Sequence, residues 1–129
     1  VIYLSTHNFY LMKWYLKAVQ NYINFEGRSR RKEFWIYFLF NLLISYGLRI
    51  LAVATDTPIF MFVFVLYAFG LLIPSLAVGV RRMHDVGKSG WYFLVPFYNL
   101  ILAFTEGDHL DNQYGRNPKA LEETNLQNI

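Results

Sequence analysis

The sequence predicts an all-α membrane protein built on a transmembrane helical hairpin. Two apolar runs, residues 34–54 and residues 58–80, carry this prediction. The first run has Arg49 as its only formal charge, and the second run has no charge. As helices of 21 and 23 residues they would be about 31 and 35 Å long, close to the hydrocarbon thickness of a bilayer. The composition agrees, because 55% of the 129 residues are hydrophobic and only 16% are charged.

The two runs are separated only by residues 55–57, which predicts a tight antiparallel hairpin. Pro58 then occupies the first turn of the second helix, where its missing N–H does no harm. Pro74 is expected to kink that helix, because it removes a backbone hydrogen bond and crowds the carbonyl of Gly70.

Two polar residues lie within the first run. Asn41 is near its middle and is expected to hydrogen-bond across helices. Arg49 is one to two turns from the end of the run, where we expect its side chain to snorkel to the interface near Asp56.

A third apolar segment, within residues 90–105, is too short for a comfortable span and contains Pro96 and Asn99. It predicts either a short third transmembrane helix or a re-entrant helix that enters and leaves on one side. We prefer the spanning arrangement, which would place the polar C-terminal tail, residues 105–129, on the side opposite the basic loops. The tail predicts little regular structure apart from a short helix at its end.

The N-terminal segment, residues 1–33, predicts an amphipathic helix that ends near Asn24 and lies along the membrane surface. Apolar residues at three- and four-residue spacing define one face of this helix: Phe9, Met12, Leu16, Val19 and Ile23. We expect residues 1–11 to be an over-extended gene start, with a cloning artefact as the alternative. The membrane domain, residues 34–104, and the tail complete the predicted organisation.

Basic residues flank the hairpin only at its open end, before the first run and after the second. Four precede the first run and three follow the second: Arg28, Arg30, Arg31 and Lys32, then Arg81, Arg82 and Lys88. The hairpin loop has none. Because basic loops stay in the cytoplasm, both clusters are predicted to be cytoplasmic, and the hairpin should bring them to the same face. Such clusters are explained by orientation and by contact with anionic lipid, so we expect no nucleic-acid partner.

The loop after the second run contains residues that resemble catalytic ones. The "GKS" at residues 87–89 is not a phosphate loop, because Arg82 stands where the pattern needs glycine. His84 and Asp85 could act as a base and its orienter or as metal ligands, but no third group is evident. The preferred interpretation is that Asp85 pairs with Arg81 or Arg82 while His84 packs at the interface. The sequence has no cysteine, which excludes disulfides and thiolate chemistry.

Three motifs together resemble a known family. "NFEGRSRRKEFW" (residues 24–35), "PSLAVGVRRMHDVGKSGWYFL" (74–94) and "NQYGRNP" (112–118) look like the three motifs of the DUF805 family of small bacterial inner-membrane proteins. Asn117 departs from the family's usual aspartate. The motif positions outside the candidate site are Gly27, Phe34, Gly87, Gly90, Asn112, Tyr114, Gly115 and Pro118. The family has no established activity, so the resemblance implies class and compartment, not mechanism.

We therefore expect an uncharacterised multi-pass inner-membrane protein with no cofactor and no metal. The leading hypothesis is a non-enzymatic module that binds an anionic lipid headgroup, a partner membrane protein or a second copy of itself at the cytoplasmic face. The candidate binding residues are Arg28, Arg30, Arg31, Trp35, Arg81, Arg82, His84, Asp85, Ser89 and Trp91. The alternative is a small intramembrane enzyme or transport component that uses His84 and Asp85.

Overall fold

The computed structural model describes residues 2–128, with side chains from Phe9 onward. The regular elements of this part of the chain are all helices, with no β-strand among them, which confirms the all-α prediction. In chain order the helices are α1 (Ile2–Gln20), α2 (Arg31–Thr55), α3 (Pro58–Gly70), α4 (Leu72–Asp85), a 3₁₀ helix (Gly90–Leu94), α5 (Tyr98–Phe104) and α6 (Pro118–Gln127).

Helix α2 and the α3–α4 pair form the predicted hairpin, joined by Asp56 and Thr57. By length and composition, α2 and residues Pro58–Asp85 are each able to cross a membrane. In the most apolar 18 residues of each, 11% and 0% of the residues are buried within the protein. Large apolar side chains such as Val53 and Phe69 are 81% and 69% exposed. An apolar surface of this extent is far larger than a soluble monomer tolerates, so it matches a lipid environment.

The helix that begins at Pro58 is interrupted at Leu71, between α3 and α4. Pro74 lies three residues further on and has no N–H to donate to the carbonyl of Gly70. The predicted kink is therefore confirmed, and it takes the form of a break between two helices.

Asn41 is buried and joins three helices. Its amide nitrogen donates to the carbonyl of Tyr37, 2.9 Å away, within α2. Its amide oxygen accepts from the hydroxyl of Tyr67 on α3 and, at 3.4 Å, from that of Tyr15 on α1. The expected hydrogen bonds across helices are confirmed.

Arg49 contacts the neighbouring helix instead of Asp56. Its guanidinium carbon lies 4.6 Å from the centre of the Phe64 ring on α3 and 5.8 Å from that of Tyr46. The side chain remains exposed. The partner of this charge is therefore an aromatic face, a cation–π contact that the one-dimensional pattern could not specify.

Helix α1 ends at Gln20, four residues earlier than predicted. Trp14 and Ala18 are buried, and the ring of Tyr15 stacks on that of Tyr37 with centroids 6.1 Å apart. The five residues of the predicted apolar face remain partly to largely exposed, from 38% at Val19 to 80% at Phe9. Helix α1 thus packs on α2 through a different face.

The third apolar segment is not a single helix. The 3₁₀ helix and α5 are separated by a turn in which Phe97 adopts a left-handed φ of 64°. At the end of α5 the carbonyl of Ala103 accepts a hydrogen bond from Trp35, at the start of α2, over 3.2 Å. The segment therefore returns to the end of the hairpin where it began. The expected helix that crosses to the other end of the hairpin is therefore not seen, and the path agrees with the re-entrant alternative.

Candidate functional site

The three sequence motifs meet at one end of the hairpin. The N–H of Ser29, in the first motif, donates to the carbonyl of Arg81 in the second over 3.0 Å. The side-chain amide of Asn112, in the third motif, donates to the carbonyl of His84 over 2.9 Å. The predicted meeting of the first two motifs is confirmed, and the tail joins them. The expectation that the tail lies at the opposite end is wrong.

Asp85 is the centre of this region and accepts from two arginines. The Nε atom of Arg28 lies 2.9 Å from Oδ1, and Nη1 of Arg82 donates to Oδ2. All three side chains are almost completely buried. Because two cations and one carboxylate are removed from water together, the hydrogen bonds must satisfy nearly every donor. The interpretation that Asp85 pairs with an adjacent arginine is confirmed, with Arg82 as that partner.

Backbone carbonyls satisfy the remaining donors of Arg82. Its Nη1 donates to the carbonyl of Ser29 at 3.0 Å and its Nε to that of Ala103 at 3.3 Å. Its Nη2 donates to the carbonyl of Thr105. Arg82 therefore ties the first motif to the end of α5. This guanidinium is fully occupied inside the protein, so it contributes no free positive charge to the surface.

Arg28 holds the tail. Its two terminal nitrogens donate to the carbonyls of Asp108 at 2.6 Å, Leu110 at 3.0 Å and Gly115 at 3.3 Å. A planar guanidinium suits this task, because its fork of donors can reach several acceptors at once. The tail is consequently docked by the same side chain that pairs with Asp85.

A second buried ion pair joins the two helices of the hairpin. Nη1 of Arg81 lies 2.7 Å from Oε1 of Glu33, at the first turn of α2. Among the described residues, Nε and Nη2 of Arg81 and Oε2 of Glu33 have no hydrogen-bond partner. Glu33 was not among the predicted site residues, although it directly follows the first basic run.

Arg30 and Arg31 differ from the other three predicted arginines. Arg30 pairs with Glu122 on α6 and lies 5.3 Å from the centre of the Trp14 ring. Arg31 is exposed, and among the described residues its side chain donates only to the carbonyl of Phe104, over 3.2 Å. Among the predicted arginines, Arg31 is thus the one whose charge faces the surroundings.

His84 and Asp85 do not act on one another. The Nδ1 atom of His84 lies 3.0 Å from the carbonyl oxygen of Gly27, and its ring is stacked on Tyr114 with centroids 3.9 Å apart. A carbonyl can only accept, so Nδ1 carries the proton. Asp85 faces the arginines instead. The two side chains therefore do not form the pair of base and orienter that the catalytic alternative requires.

Close backbone approaches shape the site at two glycines. A Cβ added to Gly107 would lie 2.0 Å from Oδ2 of Asp85, so only glycine fits there. Gly87 has a φ of +75°, and a Cβ at this position would lie 2.7 Å from a carboxylate oxygen of Asp108. Gly107 and Asp108 were not among the predicted site residues, because the tail was expected to have little regular structure.

The tail has two further contacts of its own. Asn117, in the place of the family's usual aspartate, caps α6 by accepting from the N–H of Lys119 over 3.0 Å. The ammonium of Lys119 lies 2.7 Å from Glu106, and this hydrogen bond lowers the pKa of the Glu106 carboxyl. Both side chains of this pair are about half exposed, so it adds little stability.

A cavity of about 510 Å³ opens beside the second motif, between α4 and the 3₁₀ helix. Three predicted site residues line it: His84, Ser89 and Trp91. Most of the remaining lining is apolar, and these residues were not predicted: Phe25, Leu76, Val80, Phe93 and Leu94. Trp35 lies outside this cavity, where its ring is stacked on Phe104 at 4.3 Å.

Comparisons with known proteins agree on one family. The chain is 36% identical over 117 residues to the inner membrane protein YhaI of Escherichia coli K12, an alignment that covers 84% of this chain and 97% of that protein. The inner membrane protein YhaH of the same strain is 35% identical over 121 residues, covering 84% and 98% of the two chains. The uncharacterized protein YiiR is 33% identical over 81 residues, covering 62% of this chain and 54% of that protein.

No solved structure matches the chain. The family model described as "Protein of unknown function (DUF805)" matches residues 22–116, which include all of the first two motifs' basic residues and the tail up to Arg116. The chain therefore belongs to the DUF805 family.

Proposed function

We propose that this protein is a non-enzymatic module of the bacterial inner membrane that binds anionic lipid headgroups. The binding end is the end of the hairpin where the three motifs meet, which we call the motif end. In this proposal α2 and the α3–α4 pair cross the membrane, and the three motifs lie at the cytoplasmic face. The positive-inside rule supports that orientation, because seven basic residues flank the hairpin at the motif end and the hairpin loop has none.

The observation that carries the proposal is the division of six of these seven cations into two groups, with Arg30 set apart by its pair with Glu122. Arg28, Arg81 and Arg82 are buried against Asp85 and Glu33 and hold the fold together. A second group, which we call the rim cations, consists of Arg31, Lys32 and Lys88. Among the described residues none of these forms an ion pair with a carboxylate. The rim cations, rather than the buried arginines, are therefore the groups we assign to the headgroup.

Aromatic rings accompany the rim cations. The ammonium groups of Lys32 and Lys88 lie 5.4 and 5.8 Å from the ring centres of Tyr10 and Tyr92. Aromatic and basic residues together are typical of the membrane–water interface, where each basic group near an anionic leaflet contributes about 1 kcal/mol.

Lipid selection in nanodiscs tests the proposal. The protein is reconstituted with phosphatidylethanolamine and phosphatidylglycerol in equal amounts, and retained lipids are counted by native mass spectrometry. Phosphatidylglycerol should be enriched around the wild-type protein, and Arg31→Gln should reduce that enrichment. The matched control is Arg49→Gln, which removes the same charge from the opposite end of α2 and should leave the enrichment unchanged.

Equal retention of the two lipids by the wild-type protein would overturn the proposal, as would an equal response to the two substitutions. A partner membrane protein as the ligand would appear in a different measurement. The protein would then co-purify from native membranes with a stoichiometric second chain, and its lipid enrichment would not depend on Arg31.

A further inference from the structure

The apolar cavity beside the second motif has one polar end, formed by side chains that the fold leaves available. His84 is 9% exposed, so it is nine-tenths buried, and it lines the cavity. Its Nδ1 is occupied by the carbonyl of Gly27, and among the described residues its Nε2 has no hydrogen-bond partner. The hydroxyl of Ser89, also in the lining, likewise makes no hydrogen bond in the described part of the chain.

The protonation of His84 determines which kind of ligand group can form a hydrogen bond with it. Because Nδ1 donates to a carbonyl, the neutral ring presents Nε2 as an acceptor. Imidazole has an ordinary pKa near 6.5, so the neutral form prevails above pH 7. A ligand must therefore bring a donor, such as a hydroxyl group, to this end of the cavity. A ligand whose polar part only accepts would leave Nε2 unsatisfied.

The rest of the cavity suits a hydrocarbon chain. Its lining is apolar apart from His84 and Ser89, and its volume of about 510 Å³ is within the range of 300–1,000 Å³ typical of ligand sites. Trp91, Leu94 and Leu76 line it and are 76%, 61% and 39% exposed, so its wall continues into the apolar outer surface of the helices. An acyl chain of the surrounding lipid could enter there without crossing water.

Close packing holds the two walls in place. A Cβ at Gly90 would lie 2.6 Å from a methyl group of Val80, and one at Gly79 would lie 2.5 Å from the ring of Phe93. The 3₁₀ helix is therefore seated directly on α4 through two glycines. This contact makes the cavity a feature of the fold rather than a gap between loosely placed elements.

We propose that this cavity binds one phospholipid with a hydroxyl-bearing glycerol headgroup, of which phosphatidylglycerol is the simplest. One acyl chain lies along Leu76 and Leu94, and a glycerol hydroxyl donates to Nε2 of His84. We assign the phosphate to Lys88, the rim cation that directly precedes Ser89 in the sequence. The inference rests on the proposed function, since it names the lipid class that the same end of the protein selects.

Competition between two anionic lipids tests this inference. The protein is reconstituted in nanodiscs with phosphatidylglycerol and phosphatidylmethanol, whose headgroup has no hydrogen-bond donor, in equal amounts, and retained lipids are counted by native mass spectrometry. Both headgroups carry one net negative charge, so charge alone gives no preference. A hydrogen bond that only the glycerol headgroup makes should enrich phosphatidylglycerol by about threefold to tenfold.

Two substitutions connect that preference to the cavity. Leu76→Trp places a large ring in the lining and should abolish the preference. Leu43→Trp is the matched control, because Leu43 lies on α2, is 62% exposed and is not in the lining. It should leave the preference intact. His84→Asn retains a donor near the position of Nδ1 and removes Nε2, so it should also equalise the two lipids in a protein whose thermal unfolding remains cooperative.

The two proposals fail in different ways. Equal retention of phosphatidylglycerol and phosphatidylmethanol, with both still enriched over phosphatidylethanolamine through Arg31, would overturn the cavity site and leave the proposed function standing. A preference for phosphatidylglycerol that survives Leu76→Trp would also place the selective site outside the cavity. Loss of all anionic enrichment in the wild-type protein would overturn both.

Discussion

Arg28 and Asp85 are 57 residues apart in the sequence, yet Nε of Arg28 lies 2.9 Å from Oδ1 of Asp85 in a buried ion pair. The same carboxylate accepts from Arg82, and the same guanidinium donates to the tail carbonyl of Leu110. One pair of side chains thus connects the segment before α2, the end of α4 and the tail. The motif end depends on this connection for its stability.

Replacement of Asp85 by asparagine should therefore be strongly destabilising. The change leaves two guanidinium groups buried without their counter-charge, and breaking a buried ion pair in this way costs about 3–5 kcal/mol. The free energy of unfolding, measured by denaturant titration in detergent micelles, should fall by that amount. Asp56→Asn in the exposed hairpin loop is the control and should change it by less than about 0.5 kcal/mol. Equal stability of the two variants would contradict the central role of Asp85.

Gly107 should tolerate no side chain. A Cβ there would lie 2.0 Å from Oδ2 of Asp85, so Gly107→Ala must displace the carboxylate from its arginines. We expect a loss of about 1–3 kcal/mol in the free energy of unfolding. Gly47 has no atom within 4 Å of an added Cβ, and Gly47→Ala should be neutral or slightly stabilising because alanine favours the helix. A Gly107→Ala protein as stable as Gly47→Ala would contradict this, because it would show that the loop around residue 107 can move away from Asp85 without loss of stability.

Asn41 should contribute through its bond to Tyr67 rather than through packing alone. Asn41→Leu leaves the Tyr67 hydroxyl without its acceptor, while Asn41→Leu combined with Tyr67→Phe removes both partners. Interhelical hydrogen bonds in membranes contribute about 0.6 kcal/mol on average and up to about 1.7 kcal/mol. A double-mutant cycle on unfolding in micelles should give a coupling energy of that size. Strictly additive effects would mean that the hydrogen bond contributes nothing.

The side of the tail is directly measurable, because the sequence contains no cysteine. Single cysteines at Lys88, Gln113 and Thr57 report the second motif, the tail and the hairpin loop. A membrane-impermeant maleimide applied to intact spheroplasts should label Thr57→Cys and should spare both Lys88→Cys and Gln113→Cys. Permeabilisation should expose all three. Labelling of Gln113→Cys without labelling of Lys88→Cys in intact spheroplasts would mean that the third segment spans after all.

The apolar runs and the charges around them were enough to predict the helical hairpin. Hydropathy over 20 residues reports whether a helix can lie in lipid, and this property needs no knowledge of neighbours. The break near Pro74 and the bonding of Asn41 followed from local chemistry in the same way. The third segment could not be predicted so easily. Its short length allows either path, and the turn at Phe97 and the contact between Trp35 and Ala103 favour the path that returns.

The sequence by itself determined the class of protein, the hairpin and the three motifs that identify its family. It did not determine which arginines are free, because a cluster of positive charge in one dimension looks the same whether it faces lipid or carboxylates. Only the tertiary structure brings Glu33 and Asp85 to the arginines and leaves Arg31 exposed. The physical reason is that burial of a charge depends on partners distant in sequence, whereas insertion of a helix into a membrane depends on its own residues.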